Sequence, residues 1–266
     1  MAVIQVAAVT DKGAVKSTNE DRLFIGGGVL ASGSCCIEVE EPTLLAVFDG
    51  VSAGGHGAEA SSLAAQALAG FEVDAGCDAR GLAEAACAVL SQTSREMSAT
   101  SASWRCGTSM ATTTAGIAIA KGEFVTFHAG DSRVYRMRNG FLARQTGDHS
   151  VVQQLESIHA PQEQIEWAQT NQAHVILRAL GLGPGWDIVD ISKAWPVFEN
   201  DIFLLCSDGL TEGVPDQLIE EMLKGADVDL QTKAVSLFNA ALVGGSDDNI
   251  SVMLVEISTP IDEKES

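Results

Sequence analysis

Basic residues are scarce in this sequence: Lys and Arg total 16 against 36 Asp and Glu over 266 residues, a formal charge of -20. A surface of that sign repels nucleic-acid backbones and anionic membranes alike, so neither is an expected partner. Most of such acidity serves solubility, and only the placement of the acids is diagnostic. Zinc-site spacing is also missing. The six cysteines, Cys35, Cys36, Cys77, Cys87, Cys106 and Cys206, form no CxxC pair and have no histidine set beside them, which leaves them as reduced, mostly buried thiols. No basic region opens the chain, and Met1 to Thr10 meets Asp11 and Lys12 before any long apolar run, unlike a signal peptide. Nor does any segment reach the roughly 18 apolar residues that a membrane-spanning helix requires. Repeats and low-complexity linkers are absent, and the only charge block is a short polar tail at 259–266. The expectation is a cytoplasmic protein with one domain over 1–258.

Apolar sequence is plentiful, 46% of residues, enough for a sizeable core. Short apolar runs at 3–9, 44–48, 117–120, 124–127, 202–206 and 250–257 are bounded by Gly, Asp or Asn and read as strands. Lys121-Gly122 and Arg138-Asn139-Gly140 are turn chemistry between neighbouring antiparallel strands. Helical spacing recurs through Ala60, Leu63, Ala64, Ala67, Leu68 and Phe71, then across 82–97, 215–223 and 230–242. Strands and helices come in blocks joined by hairpins. That arrangement predicts an α+β layered domain with antiparallel sheets rather than a doubly wound parallel sheet.

Four acidic motifs stand where an apolar strand meets a glycine or polar turn: Phe48-Asp49-Gly50, Gly130-Asp131-Ser132, Ser207-Asp208-Gly209 and Asp247-Asp248-Asn249. One Asp-Gly alone most often makes a turn. Several rigidly held carboxylates converging on one place would repel unless cations neutralised them, and an oxygen-only donor set suits Mg²⁺ or Mn²⁺. A fifth element, Asn19-Glu20-Asp21, precedes Leu23-Phe24-Ile25, with Lys16 four residues before Glu20. Lys16 is either a solvated surface charge or a cation beside the metals that holds a phosphate oxygen.

The order of these motifs resembles that of the metal-dependent protein phosphatase family, type 2C, particularly its bacterial members. The resemblance runs from Asp11-Lys12-Gly13 and Asn19-Glu20-Asp21 through Asp49-Gly50, Gly54-Gly55-His56 and Met110-Ala111-Thr112-Thr113. It continues through Gly130-Asp131-Ser132-Arg133, Asp148-His149-Ser150, Ser207-Asp208-Gly209-Leu210 and Asp248-Asn249-Ile250-Ser251. It implies a four-layer α-β-β-α sandwich, two central antiparallel sheets flanked by helices. By the same resemblance Asp49 bridges two cations, Mn²⁺ or Mg²⁺, the Gly50 carbonyl serves the second, and Asp208 and Asp248 complete the first. Glu20 and Asp21 hold waters on the cations, Asp131 with Asp208 binds a third, more labile ion, and Thr113 contacts a bound water. Thr113 is chosen over Thr108 by counting back from Asp131. Asn249 shapes the loop beside Asp248.

The implied reaction is hydrolysis of phosphoserine and phosphothreonine in proteins by direct attack of a hydroxide shared by two cations, with no phosphoenzyme. Phosphorylated proteins and a cognate serine/threonine kinase are the implied partners. The family usually has arginine where Lys16 stands, and lysine offers a point charge instead of a bidentate fork, so weaker substrate binding is expected. No histidine directly follows Asp49-Gly50, and His56 either points into the cleft or faces solvent. Residues 148–182 resemble the family's flap, in which His149, His159, His174 and Arg178 are expected to pack or support. The alternative is an inactive phosphatase-like domain that binds phosphoproteins, whose mark would be a lost metal aspartate.

Overall fold

The computed structural model describes residues 3–51, 54–104, 108–183, 188–225 and 228–258. The chain begins with strands β1 (Val3–Asp11), β2 (Arg22–Ile25), β3 (Gly28–Leu30), β4 (Gly33–Val39) and β5 (Thr43–Phe48), followed by helices α1 (Gly57–Ala69) and α2 (Ala79–Ser103). Strands β6 (Thr114–Ala120), β7 (Glu123–Ala129), β8 (Arg133–Arg138) and β9 (Phe141–Arg144) come next, then helices α3 (Val151–Ser157) and α4 (Gln162–Asn171). The rest is β10 (Asp190–Ile191), β11 (Trp195–Pro196), β12 (Ile202–Cys206), α5 (Asp208–Gly213), α6 (Asp216–Leu223), α7 (Leu230–Val243) and β13 (Ile250–Ser258). All six apolar runs and all four helical patterns of the sequence fall on such elements. The expected tail at 259–266, Cys106 and the pair Ser52-Ala53 lie outside the described residues.

The strands form two sheets, ordered β4-β1-β13-β12-β8-β9 and β10-β7-β6-β5-β2-β3, with β11 also on β7. Strand alternation builds three apolar layers. Leu45 and Val47 of β5 meet Ile4, Val6, Phe203, Leu205 and Met253 between the sheets. Leu44, Ala46 and Phe48 of the same strand face outward onto α1 and α2 through Ala60, Ala64, Leu68, Leu82 and Leu90. On the opposite side Val9, Leu204, Val252 and Leu254 pack against Leu210, Ile219, Leu237 and Ala241 of α5, α6 and α7. The result is the expected four-layer α-β-β-α sandwich. Both faces of the central strands are covered, which is why they read as unbroken apolar runs.

The β6–β7 and β8–β9 hairpins turn at Lys121-Gly122 and Asn139-Gly140, all four residues at positive φ, as a two-residue turn matching strand twist demands. The cysteine expectation needs correction. Cys87 and Cys206 are buried and all five described cysteines are free thiols, but Cys36 is exposed and Cys35 and Cys77 are only partly covered. Cys35 and Cys36 lie on β4, at the edge of its sheet, where alternation turns Cys36 outward. Among the described residues no helix is long and apolar enough to cross a membrane.

Antiparallel register gathers the acidic motifs. Arg22 pairs with Phe48, Val47 with Ala115 and Thr114 with Ala129, so Glu20-Asp21, Asp49, Thr113 and Asp131 lie at one end of the second sheet. Arg133 pairs with Cys206, Cys206 with Val252 and Asp11 with Ile250, which brings Asp208 and Asp248 to the corresponding end of the first.

Candidate active site

A cavity of about 340 Å³ opens at that end, lined by Lys16, Asp49, Gly50, Thr113, Asp131, Asp208 and Asp248, with His174, Ile176, Glu212, Asp247 and Val51 completing the wall. Asp49 is fixed by its backbone: its N–H donates to Thr113 Oγ1 (3.2 Å), and its carbonyl accepts from Thr113 N (2.8 Å) and Thr112 Oγ1 (2.8 Å). Thr113 Oγ1 also meets Ser132 Oγ at 2.7 Å, which joins the Asp49 and Asp131 loops. The α1 backbone closes on Gly50 so tightly that a Cβ on Gly57 would stand 2.7 Å from the Gly50 carbonyl and 2.9 Å from Glu20 Oε2. Neither position has room for a side chain.

Asp21 lies behind the cavity wall, fully buried, its Oδ2 accepting from Ser207 Oγ (2.8 Å) and Ser251 Oγ (2.7 Å). Its Oδ1 has no partner. Glu20 is fixed by its backbone, N–H to Asn249 Oδ1 (2.8 Å) and carbonyl from Ser61 Oγ (2.5 Å). Asn249, expected to shape the loop beside Asp248, ties the 12–20 segment to it: its Nδ2 also donates to the Lys12 (3.0 Å) and Thr18 (2.9 Å) carbonyls. Neither Glu20 nor Asp21 is among the lining side chains. Lys16 Nζ stands 2.9 Å from Asp248 Oδ2, both about a third exposed at the rim.

The acids crowd one another. Burial, then the charges of Asp208, Asp21, Asp131 and Asp248, hold the Asp49 carboxyl well above the usual carboxylate range. Burial and Asp248 raise Asp208, although a hydrogen bond with Asp49 opposes the rise. Burial, assisted by Asp208 and Asp148, pushes Asp131 up to about 8. Burial pushes Asp21 up to about 7 against its two serine hydrogen bonds. Burial pulls Lys16 down, but Asp248, Glu20 and Asp49 more than offset it. A cluster of carboxyls that resist ionisation through burial and through one another, with a buried carboxylate oxygen left unpaired, is a site that a divalent cation would neutralise. Its donors are all oxygens, as Mg²⁺ and Mn²⁺ prefer. The residues fit the cations.

Sequence reasoning missed Glu212, which burial and Asp208 push up to about 7, and assigned His174 to flap packing. His174 instead lines the cavity, 74% exposed, with Nδ1 3.2 Å from Glu212 Oε1. Nothing local in the sequence marks this pair, because residues 38 apart meet only through the fold. His56 does not line the cavity: its ring bonds Glu59 Oε2 (2.8 Å) and sits against Trp104 (4.2 Å between centroids). His149 and Arg178 both bond Asp190, in line with supporting roles, and His159 is exposed after α3 at φ 53°. No metal aspartate is lost, so the inactive alternative lacks its sequence mark.

The model of the family described as protein phosphatase 2C matches residues 19–240. The chain is 31% identical over 263 residues to serine/threonine protein phosphatase PstP of Mycobacterium tuberculosis, covering 96% of this chain and 45% of PstP. It thus spans about half the length of that relative. It is 33% identical to serine/threonine phosphatase stp of Listeria monocytogenes serotype 4b, with 93% of each covered. Among solved structures, Mycobacterium tuberculosis PstP/Ppp superposes with a TM-score of 0.76 at 30% identity, covering 96% of this chain and 99% of that one. A PstP catalytic domain in complex with two manganese ions gives a TM-score of 0.75 at 28% identity, covering 97% and 100%. From the ordered aspartates, the double sheet and these likenesses together, the chain belongs to the protein phosphatase 2C family.

Proposed function

We propose that this protein hydrolyses phosphoserine and phosphothreonine in proteins with the help of bound divalent cations. One observation carries the reading: Asp49, Asp131, Asp208 and Asp248 share a single cavity with Lys16 and one another. In this reading Asp49, the Gly50 carbonyl, Asp208 and Asp248 hold two Mn²⁺ or Mg²⁺ ions, and Asp131 with Asp208 holds a third. When bound, the cations supply positive charge against the phosphoryl oxygens and make hydroxide available near neutral pH.

The chain's own groups do the rest. Thr113, through Asp49 N–H and Ser132, sets where the Asp49 carboxylate points. Glu20 and Asp21 act from behind, Asp21 held by Ser207 and Ser251 with its buried Oδ1 left as an unpaired acceptor. Lys16 Nζ at the rim takes a non-bridging phosphate oxygen, exchanging part of its contact with Asp248. The oxygen of water bonds to phosphorus as the seryl or threonyl oxygen leaves, and the leaving oxygen takes a proton. His174, the one imidazole lining the cavity among the described residues, is placed on the wall for that proton. Among the described residues the lining includes no serine or cysteine, and the Thr113 hydroxyl is committed to Asp49 and Ser132. Direct attack by water therefore suits the site better than a seryl or cysteinyl phosphoenzyme.

Residues 148–182, with α3 and α4, form the flap of a single catalytic domain spanning 1–258 in this reading. Substrates are proteins phosphorylated by a cognate serine/threonine kinase in the cytoplasm, and the charge of -20 disfavours nucleic acid. Hydrolysis of a phosphothreonine peptide and of p-nitrophenyl phosphate is measured with added Mn²⁺ and with chelator. Metal-dependent release of phosphate is expected; none at saturating metal overturns the reading.

A further inference from the structure

Asp131 is held from outside the cavity by two consecutive residues at the start of the 148–182 segment. Asp148 takes Arg133 in a bidentate pair (3.1 and 2.7 Å) and also bonds Arg144. His149 takes Gly130, on the other side of Asp131, two ways and stacks on His128 besides. Its backbone N–H donates to the Gly130 carbonyl (2.9 Å), the Gly130 N–H donates to its Nδ1 (3.2 Å), and its ring lies on that of His128 (4.6 Å between centroids). Gly130 adopts φ +109°, with Thr113 where a Cβ would be, and its N–H is met by His149 Nδ1.

The bond to Gly130 fixes the tautomer. With Nδ1 accepting, the ring proton resides on Nε2, which donates to Asp190 Oδ2 (3.1 Å). Asp190 Oδ1 in turn accepts from Arg178 (3.0 Å), and the His149 carbonyl accepts from Leu177 N–H (2.6 Å). His149 thus joins the beginning of the segment to its end and both to the peptide unit preceding Asp131. The second ring, His128, is anchored separately by Nε2 on the Gly147 carbonyl (2.8 Å). The two rings stack nearly parallel, 20° apart, and although the ligand atoms of His128, His149 and Asp190 lie within 4.8 Å of one another, His128 Nε2 is taken by the Gly147 carbonyl and both His149 nitrogens by Gly130 and Asp190, so the group serves here as a hydrogen-bonded strut.

We propose that His149 is a positioning residue: through the Nδ1 bond to the Gly130 N–H it sets the turn that carries Asp131 into the cavity it shares with Asp208, and through Asp190 and Arg178 it ties that turn to the flap. The inference rests on the assignment of Asp131 to a cation. Asn and Gln separate the two bonds, since Asn places an acceptor where Nδ1 stands and Gln reaches only toward the place of Nε2.

The test compares wild type, His149→Asn, His149→Gln and His149→Ala by amide exchange at Gly130 and by calorimetric Mn²⁺ titration, after melting curves show each is folded. Asn is expected to keep Gly130 protected and the weakest Mn²⁺ class near wild type. Gln and Ala are expected to lose the protection and to weaken that class by about 10-fold or more, as for loss of a partner supporting a metal ligand. Equal behaviour of Asn and Gln overturns the proposal, because a packing or stacking role does not distinguish them; if Ala unfolds, that pair still decides. Asp190→Ala, which leaves Nδ1 in place, is expected to deprotect Gly130 in part, and unchanged exchange there overturns the flap tie. Absence of any Mn²⁺ binding by wild type would instead defeat the proposed function, with Gly130 exchange still reporting on His149.

Discussion

Taking away divalent cations should make the folded protein progressively less stable as pH rises. In the metal-free fold Asp21 stands at about 7 and Asp131 at about 8, with Asp49 and Asp208 also raised, each mainly by burial. Unfolded, these groups return to the ordinary carboxylate value near ~4. A folded pKa above the unfolded one gives a stabilisation that is complete below ~4 and disappears as pH climbs through the folded value. Within that window the fold keeps a proton that the unfolded chain has released, a loss of about 1.4 kcal/mol per pH unit for each such proton. The carboxyls interact, so their protons leave in shared steps and the losses do not add group by group. Counting a single proton, going from pH 5 to pH 7 costs about 3 kcal/mol, roughly 5–6 °C in Tm at this chain length. His128 works the other way: burial and His149 hold it below 6.5, so it favours the fold as pH rises. One histidine against five raised carboxyls, Glu212 at about 7 included, leaves the slope negative. Thermal melts of chelated protein across this window read the slope directly, saturating Mn²⁺ should remove it, and Asp131→Asn should flatten it without metal. A chelated Tm that is level or rising from pH 5 to pH 7 refutes the argument.

Asp208→Ala takes a carboxylate from the wall shared with Asp49 and Asp131, and is expected to lower activity roughly 100-fold or more with a higher Mn²⁺ requirement in a side-by-side titration. Lys16→Arg is expected to lower KM for phosphopeptide by adding a second donor, and Lys16→Met to raise it; an unchanged or higher KM for the arginine variant argues against a phosphate contact. Gly57→Ala puts a Cβ 2.7 Å from the Gly50 carbonyl. Denaturant melts should show a loss of about 1–3 kcal/mol, together with weaker Mn²⁺ binding, as the two backbones separate. His174→Ala should slow hydrolysis of a phosphoserine peptide by about 100-fold but leave p-nitrophenyl phosphate nearly unaffected, since a phenolate of low pKa leaves without a proton; equal effects on both substrates exclude a proton-donating role.

The double sheet was legible wherever burial forced a pattern. Strands β5, β12 and β13, covered on both faces, have almost no polar residue to interrupt them, and α1, α2, α6 and α7 show the helical period because each lays one face on a sheet. Edges carry no such constraint. In β4, Gly33–Val39, no residue is fully buried, and β10 and β11 are two residues each, held by pairing with β7 more than by their own side chains. Helices α3 and α4 bury only Ala168 between them, so their apolar period is too weak to mark their boundaries.

The site divides along the same physical line. Asp49, Asp131, Asp208 and Asp248 could be read because each must end or begin a buried strand, and a carboxylate there is tolerable only beside a cation or a partner. What surrounds them could not. Glu212 stands on α5 one turn beyond Asp208, and its character comes from the Asp208 charge and from His174 arriving on a different segment. Ser207 and Ser251 look like ordinary small polar residues of a strand end, yet their hydroxyls hold the buried Asp21 and oppose the rise that burial gives its carboxyl. His149 is legible as part of an Asp-His-Ser motif but not as an acceptor, because that role depends on the positive φ of a glycine 19 residues earlier. The four aspartates show in the sequence because each interrupts an apolar run where a strand ends or begins; the residues around them are defined by which backbone atom they meet, and that is decided only when two distant strands end together.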